Sequence, residues 1–202
     1  MQRRNAMKKI LYIILEQWAD WELAYVSSAV NMLGGGAFEN KTVSLTKNAV
    51  TSIGGIRCLP DYDAQGVPSD YAALILIGGM SWRTESALQL KPLIDSCAKS
   101  GKVLGAICDA CRFLASVGAL NGANHTANDL NELKQLPAYT NERGFVPRQA
   151  VSDKNIVTAN GTAALEFAQE ILRTLSVAPE AHIKGWYDFH KLGFYTAPMP
   201  KM

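Results

Sequence analysis

Val103-Leu104-Gly105-Ala106-Ile107-Cys108-Asp109-Ala110-Cys111-Arg112-Phe113-Leu114 runs from a wholly apolar segment into a helical pattern within about two residues. An unbroken apolar run of this kind is what a parallel strand covered on both faces requires. Cys108 stands at the corner between the two. The small neighbours Gly105, Ala106 and Ala110 allow a sharp strand-to-helix turn, which projects its side chain above the carboxyl edge of the sheet as in the nucleophile elbow of hydrolases. A helix running from about Ala110 to Val117 adds partial positive charge and free N–H groups, which lower a thiol's pKa and can hold an oxyanion. The same pattern also fits a small, buried, unreactive thiol.

Working outward, two more runs have this character. Ile10-Leu11-Tyr12-Ile13-Ile14-Leu15 precedes a helix opened by Asp20, in which Trp21, Tyr25, Ala29 and Leu33 recur every four residues, and which Gly34-Gly35-Gly36 stops. Tyr71-Ala72-Ala73-Leu74-Ile75-Leu76-Ile77 ends in Gly78-Gly79, where a backbone N–H can approach the elbow closely. A helix over Ala87–Ala98 follows, with Leu90, Leu93, Ile94 and Cys97 on one face. Thr42–Thr46 reads as a strand, and Gly54-Gly55 as the turn of a small hairpin between Val50-Thr51-Ser52 and Ile56–Leu59. Beyond Gly118 comes a polar stretch, Asn121–Asn131. Strands near Gly144–Val151 and at Ile156-Val157-Thr158 lead to a last amphipathic helix carrying Ala164, Leu165, Ala168, Ile171, Leu172 and Leu175. Strands alternating with helices predict a flavodoxin-like, doubly wound α/β fold: a mostly parallel sheet with helices on both faces, and ligands bound beyond the carboxyl ends of its strands.

The 202 residues contain no internal repeat and no linker, so a single domain over 1–202 is expected, with residues 1–6 as a disordered extension and Met7 as the natural start. Residues 178–202 read as an aromatic tail (Trp186, Tyr187, Phe189, Phe194, Tyr195) that covers a neighbouring helix or a partner subunit. Hydrophobic residues make up 48% and charged residues 19%, ordinary globular usage. The net charge of +2 carries no clustered basic footprint, which argues against nucleic acid and anionic membrane. No apolar stretch reaches the ~20 residues that span a bilayer, and none forms a secretory leader, so a cytoplasmic location is expected. The four cysteines, 58, 97, 108 and 111, match no zinc spacing and fit a reducing compartment. His182 and His190 lack ligand spacing too, so neither a metal nor another cofactor is expected.

The strand ending in Gly-Gly, the Ala-Ile-Cys elbow and the later segment Ile156-Val157-Thr158-Ala159-Asn160-Gly161-Thr162-Ala163-Ala164-Leu165-Glu166-Phe167-Ala168 together resemble the ThiJ/PfpI superfamily, of the class I glutamine amidotransferase-like fold. The likeness runs from about Lys8 to Leu175, in order and spacing. It implies that Cys108 is the reactive, easily oxidised elbow cysteine. It implies that Glu22, in Asp20-Trp21-Glu22-Leu23, is the acidic residue that hydrogen-bonds it when protonated, and that the N–H groups of Gly79 and Asp109 form the oxyanion hole. It also implies a homodimer. On its residues alone, Glu22 reads as a solvated first-turn carboxylate complementing the helix dipole.

The departures from the family are specific. Where many members carry histidine after the cysteine this chain has Asp109, and where others carry one further on it has Asn128. His125 lies three positions before Asn128, either within swing of Cys108 or as an exposed loop side chain. Proton transfer then falls to Glu22, Asp109 or water, and a Cys-His-Glu amidotransferase triad is disfavoured. Cys108-Asp109-Ala110-Cys111 is also a C-x-x-C, so Cys111 is either a redox partner or a thiol packed on the sheet. Trp18 and Trp82 are expected to border the mouth, as pocket walls or as packing. Three functions follow: first, a cysteine-dependent hydrolase, hydratase or glyoxalase-type enzyme acting on a small-molecule substrate with an electrophilic carbon; second, a redox-sensing, stress-response protein using Cys108 with or without Cys111. A binding module that keeps the fold without the chemistry is the third.

Overall fold

The computed structural model describes residues 7–200; the expected extension 1–6 lies outside them. Its main sheet has seven strands in the order β5-β2-β1-β6-β7-β9-β8. These are β1 (Lys8–Ile13), β2 (Phe38–Ser44), β5 (Tyr62–Asp63), β6 (Tyr71–Leu76), β7 (Val103–Ile107), β8 (Ala150–Asp153) and β9 (Ile156–Ala159). All pairings are parallel except β8 with β9. A separate hairpin joins β3 (Val50–Thr51) to β4 (Arg57–Cys58). The doubly wound α/β expectation therefore holds.

Strand periodicity explains the two-sided core. Ile10, Tyr12, Ile14, Ala73, Ile75 and Ile77 face one side, under α1 (Asp20–Leu33), α5 (Ala164–Thr174) and α6 (Glu180–Leu192). Leu11, Ile13, Leu15, Leu74 and Leu76 face the other, under α2 (Lys91–Lys99), α3 (Asp109–Ser116) and α4 (Leu130–Lys134). The chain runs outward from β1 to β2 and β5, then returns past β1 to β6 and continues through β7. That reversal opens a crevice at the carboxyl ends of β1, β6 and β7, where a doubly wound sheet places its ligands.

Two elements differ from the expectation. The strand near Gly144–Val151 starts only at Ala150: Pro147 cannot donate to a ladder, and Phe145-Val146 is drawn off to His125, whose carbonyl accepts the Val146 N–H at 2.8 Å. The aromatic tail contains a helix, α6, started after Pro179 and packed on α5, with Ile183 and Trp186 buried. A mid-helix glycine, Gly185, and an apolar stripe of only two buried residues hide it from a periodicity reading. No helix among the described residues is long and apolar enough to cross a membrane.

Candidate active site

Cys108 connects β7 to α3 with φ 61° and ψ −130°, a backbone state that a residue with a β-carbon holds only when its surroundings enforce it. The enforcement is visible on both sides. Its N–H donates to the Ala159 carbonyl at 3.0 Å, tying the corner to β9, and its carbonyl accepts from the Cys111 N–H at 3.0 Å.

Glu22 comes to the same point from the first turn of α1 and is fully buried. Its Oε2 accepts the Gly78 N–H at 2.8 Å, while Oε1 has no hydrogen-bond partner. Burial pushes this carboxyl from 4.5 up to about 7, against the opposing pull of the Gly78 N–H and of Cys108. Gly78 lies between acid and thiol: a β-carbon there would stand 2.4 Å from Glu22 Oε2, 2.7 Å from the Cys108 Cβ and 2.9 Å from the Ile107 carbonyl. Gly78→Ala is therefore expected to destabilise the protein by about 1–3 kcal/mol and to separate the pair. Denaturant titration checks the first effect and the rate of Cys108 alkylation the second; wild-type values in both would show that the crevice has slack.

On its other side, the Cys108 sulfur accepts from Asn128 Nδ2 at 3.4 Å. The amide is oriented by its other end, because Asn128 Oδ1 accepts the Gly161 N–H at 2.8 Å. The indole of Trp21 donates to the Gly161 carbonyl at 3.3 Å, holding that loop against α1. The thiol does not have the lowered pKa expected of a helix N-terminus. Burial, then the charge of Glu22, push it up to about 11, and the donations from Asn128 and the Asp109 N–H offset only part of this. Desolvation outweighs the half-charge at the end of an eight-residue helix.

Asp109 is buried, and its two carboxylate oxygens accept from Arg83 Nε and Nη2, both at 2.8 Å. That fork withdraws it from the proton-transfer role allowed by its sequence position. Its backbone N–H, which donates to the Cys108 sulfur, and that of Gly79 bond to no backbone carbonyl among the described residues, so a developing oxyanion next to the sulfur would find both donors on its side.

None of the remaining candidates has a side-chain hydrogen bond to the Cys108 sulfur among the described residues. His125 is neither exposed nor bonded to the thiol: it is buried, with Nδ1 on the Ala123 carbonyl at 2.9 Å, Nε2 on the Tyr139 hydroxyl at 2.8 Å, and its ring edge-on to Tyr139 and Phe145. Burial lowers its pKa and favours the neutral ring. Trp82 sits in the core rather than at the mouth, donating to the Ile77 carbonyl at 2.6 Å with its ring 5.0 Å from that of Phe113, because the chain after Gly79 folds back as a 3₁₀ turn over Met80–Arg83. Trp18 is likewise buried, bridging Gly79 and Ser52. Cys111 is fully buried, its thiol on the carbonyls of Ala106 at 3.1 Å and Ala159 at 3.3 Å, and burial raises its pKa strongly. All four cysteines are free thiols. Among the described residues no group of three or more His, Cys, Asp or Glu is arranged to hold a metal.

An open cleft of about 1010 Å³ adjoins the thiol, with mixed walls: Asn128, Arg148 and Gln149 are polar, Leu130, Phe145 and Pro147 apolar. Asn128 and Gly161 belong to both cleft and thiol site; neither tryptophan lines it. Sequence reading missed Arg83 and Gly161. An Asn-Gly pair directly after a buried strand was a usable signal for Gly161, whereas nothing local to Arg83 foretells a partner 26 residues away.

A doubly wound sheet with a strained cysteine elbow, a buried glutamate beside it and a Gly-Gly loop facing both defines the class. The chain matches the model of the DJ-1/PfpI family over residues 8–174, and it belongs to that family. It is 38% identical over 189 residues to the uncharacterized protease YdeA of Bacillus subtilis, covering 94% of each chain. Its structure is similar to that of a thiJ/pfpI family protein from Bacillus anthracis, with TM-score 0.86 and 31% identity over 93% of this chain and 92% of that one. It is similar also to a DJ-1 superfamily protein from Agrobacterium tumefaciens, with TM-score 0.82 and 33% identity over 91% and 100%.

Proposed function

We propose that this family member is an enzyme in which Cys108 attacks the carbonyl carbon of a small molecule, with Glu22 carrying the proton. The observation that carries the reading is the free Oε1 of a buried glutamate beside an elbow thiol. A resting thiol needs a base at the moment of attack, and a carboxyl raised to about 7 is a far better one at neutral pH than a solvated glutamate. As the sulfur–carbon bond forms, the thiol proton passes to Glu22 and the carbonyl π pair moves onto oxygen. The N–H groups of Gly79 and Asp109 receive that charge. With an amide, the proton returns from Glu22 to the departing amine and water then cleaves the thioester. With an aldehyde it returns to the oxyanion, leaving a hemithioacetal on Cys108 that forms reversibly and releases no product.

The cleft beyond Asn128 and Gly161 takes the remainder of the substrate, and its volume is at the upper end of small-molecule sites. Hydrolysis fits the protease name carried by the Bacillus subtilis relative, without the histidine of a cysteine-histidine dyad. The redox alternative loses support from Cys111, whose thiol would have to leave two buried carbonyl acceptors to bridge. The test is consumption of a panel of small aldehydes, activated amides and thioesters. The wild type is expected to turn over at least one class, and Cys108→Ser none. Equal activity of the two would exclude the reading.

A further inference from the structure

We propose that Arg83 is a positioning residue that masks the Asp109 carboxylate and thereby sets how readily Cys108 ionises. The inference deepens the nucleophile reading and rests on it for its functional meaning. The charges of two carboxylates act on the thiol, Glu22 from α1 and Asp109 from α3; Cys111, one helical turn on, is a buried thiol whose pKa is also pushed up, and Asn128, Gly78 and Gly161 carry no charge. Asp109 directly follows the thiol in the chain and has little access to water. Its negative charge raises the cost of ionising Cys108 and of ionising Glu22.

Arg83 answers that charge with a two-pronged fork, Nε and Nη2 each at 2.8 Å from one carboxylate oxygen. The guanidinium is itself fixed, because its Nη1 donates to Glu132 Oε1 at 2.7 Å and Arg112 Nε donates to the same oxygen at 2.9 Å. The network joins the 3₁₀ turn after Gly79 to the N-terminus of α3 and to α4. The two N–H groups placed for an oxyanion therefore sit on elements that Arg83 ties together. A lysine there would keep the charge and lose the fork.

The test follows alkylation of Cys108 by iodoacetamide from about pH 6 to about pH 9, by peptide mapping, with Cys58 of the same molecule as reference, since below its pKa the rate tracks the thiolate fraction. Arg83→Met unmasks a charge near the sulfur and is expected to slow Cys108 relative to Cys58 by about tenfold at each pH, as one unit of pKa does. Arg83→Lys should recover part of the loss, and Arg83→Met with Asp109→Asn should recover all of it. Asp109→Asn alone, which leaves Arg83 bonded to Glu132, should accelerate Cys108; it also serves if Arg83→Met does not fold. A wild-type ratio in Arg83→Met, a double variant as slow as the single one, an unmoved Asp109→Asn, or a Cys108 that no variant labels would each overturn the proposal. None of these results depends on turnover, so activity retained by Cys108→Ser would sink the nucleophile reading separately.

Discussion

Cys108→Ser is expected to lower carbonyl turnover by at least about a thousandfold while leaving the fold unchanged. Serine preserves the corner's shape, so the N–H contact with Ala159 and the strained φ of 61° persist. What disappears is the nucleophile, because a hydroxyl is far harder to deprotonate than a thiol and a carboxyl near 7 cannot bridge that gap. Circular dichroism separates loss of chemistry from loss of structure. A folded serine variant with more than about a tenth of wild-type activity would place the reaction at another group.

Glu22→Gln carries the second large effect, in opposite directions for activity and stability. Only the deprotonated carboxyl accepts the thiol proton, so wild-type turnover should rise with pH through about 7. The glutamine variant should lose that inflection and about a hundredfold or more in rate at neutral pH. A rise continuing past neutral pH toward the thiol's own titration should remain, that titration lying below the wild-type value of about 11 because a negative neighbour has gone.

Stability runs the other way. The folded-state pKa of Glu22 lies above its unfolded value of 4.5, so its favourable contribution is complete below 4.5 and is lost as pH rises through about 7. Above that, the buried charge costs about 3 kcal/mol, which glutamine removes. Glu22→Gln should therefore melt at a higher temperature than wild type at about pH 8 and show little of this gain at about pH 4. Identical melting curves at both would mean that the carboxylate is better solvated than its burial implies.

The sheet and the elbow were legible because their signals are local. Apolar runs such as Ile10–Leu15 and Val103–Ile107 can be satisfied only between two layers, and small residues must flank a corner as tight as Cys108. Glu22 carried no such mark: in its own helix it is a first-turn acid like Asp20, and only the resemblance set it apart. What buries it is the meeting of the first turn of α1 with the Gly78 loop after β6 and the Cys108 corner after β7, contacts between distant parts of the chain. The same limit explains His125 and Trp82, whose partners Tyr139, Phe145 and Phe113 lie 14, 20 and 31 positions on. The thiol's pKa went the wrong way for a related reason. The helix end is readable from the chain, but the desolvation that outweighs it is a property of the assembled core.

The central claim, that Cys108 forms a covalent bond to carbonyl carbon, is tested most directly by trapping the adduct. The protein is mixed with a small activated amide or thioester, quenched in acid within the first turnovers and digested, and the four cysteine peptides are weighed. The acyl mass is expected on the Cys108 peptide alone, reduced in amount in Glu22→Gln and absent from Cys58, Cys97 and Cys111. An acyl group on Cys58 instead, or substrate consumed at the wild-type rate by Cys108→Ser with no cysteine acylated, would contradict the account.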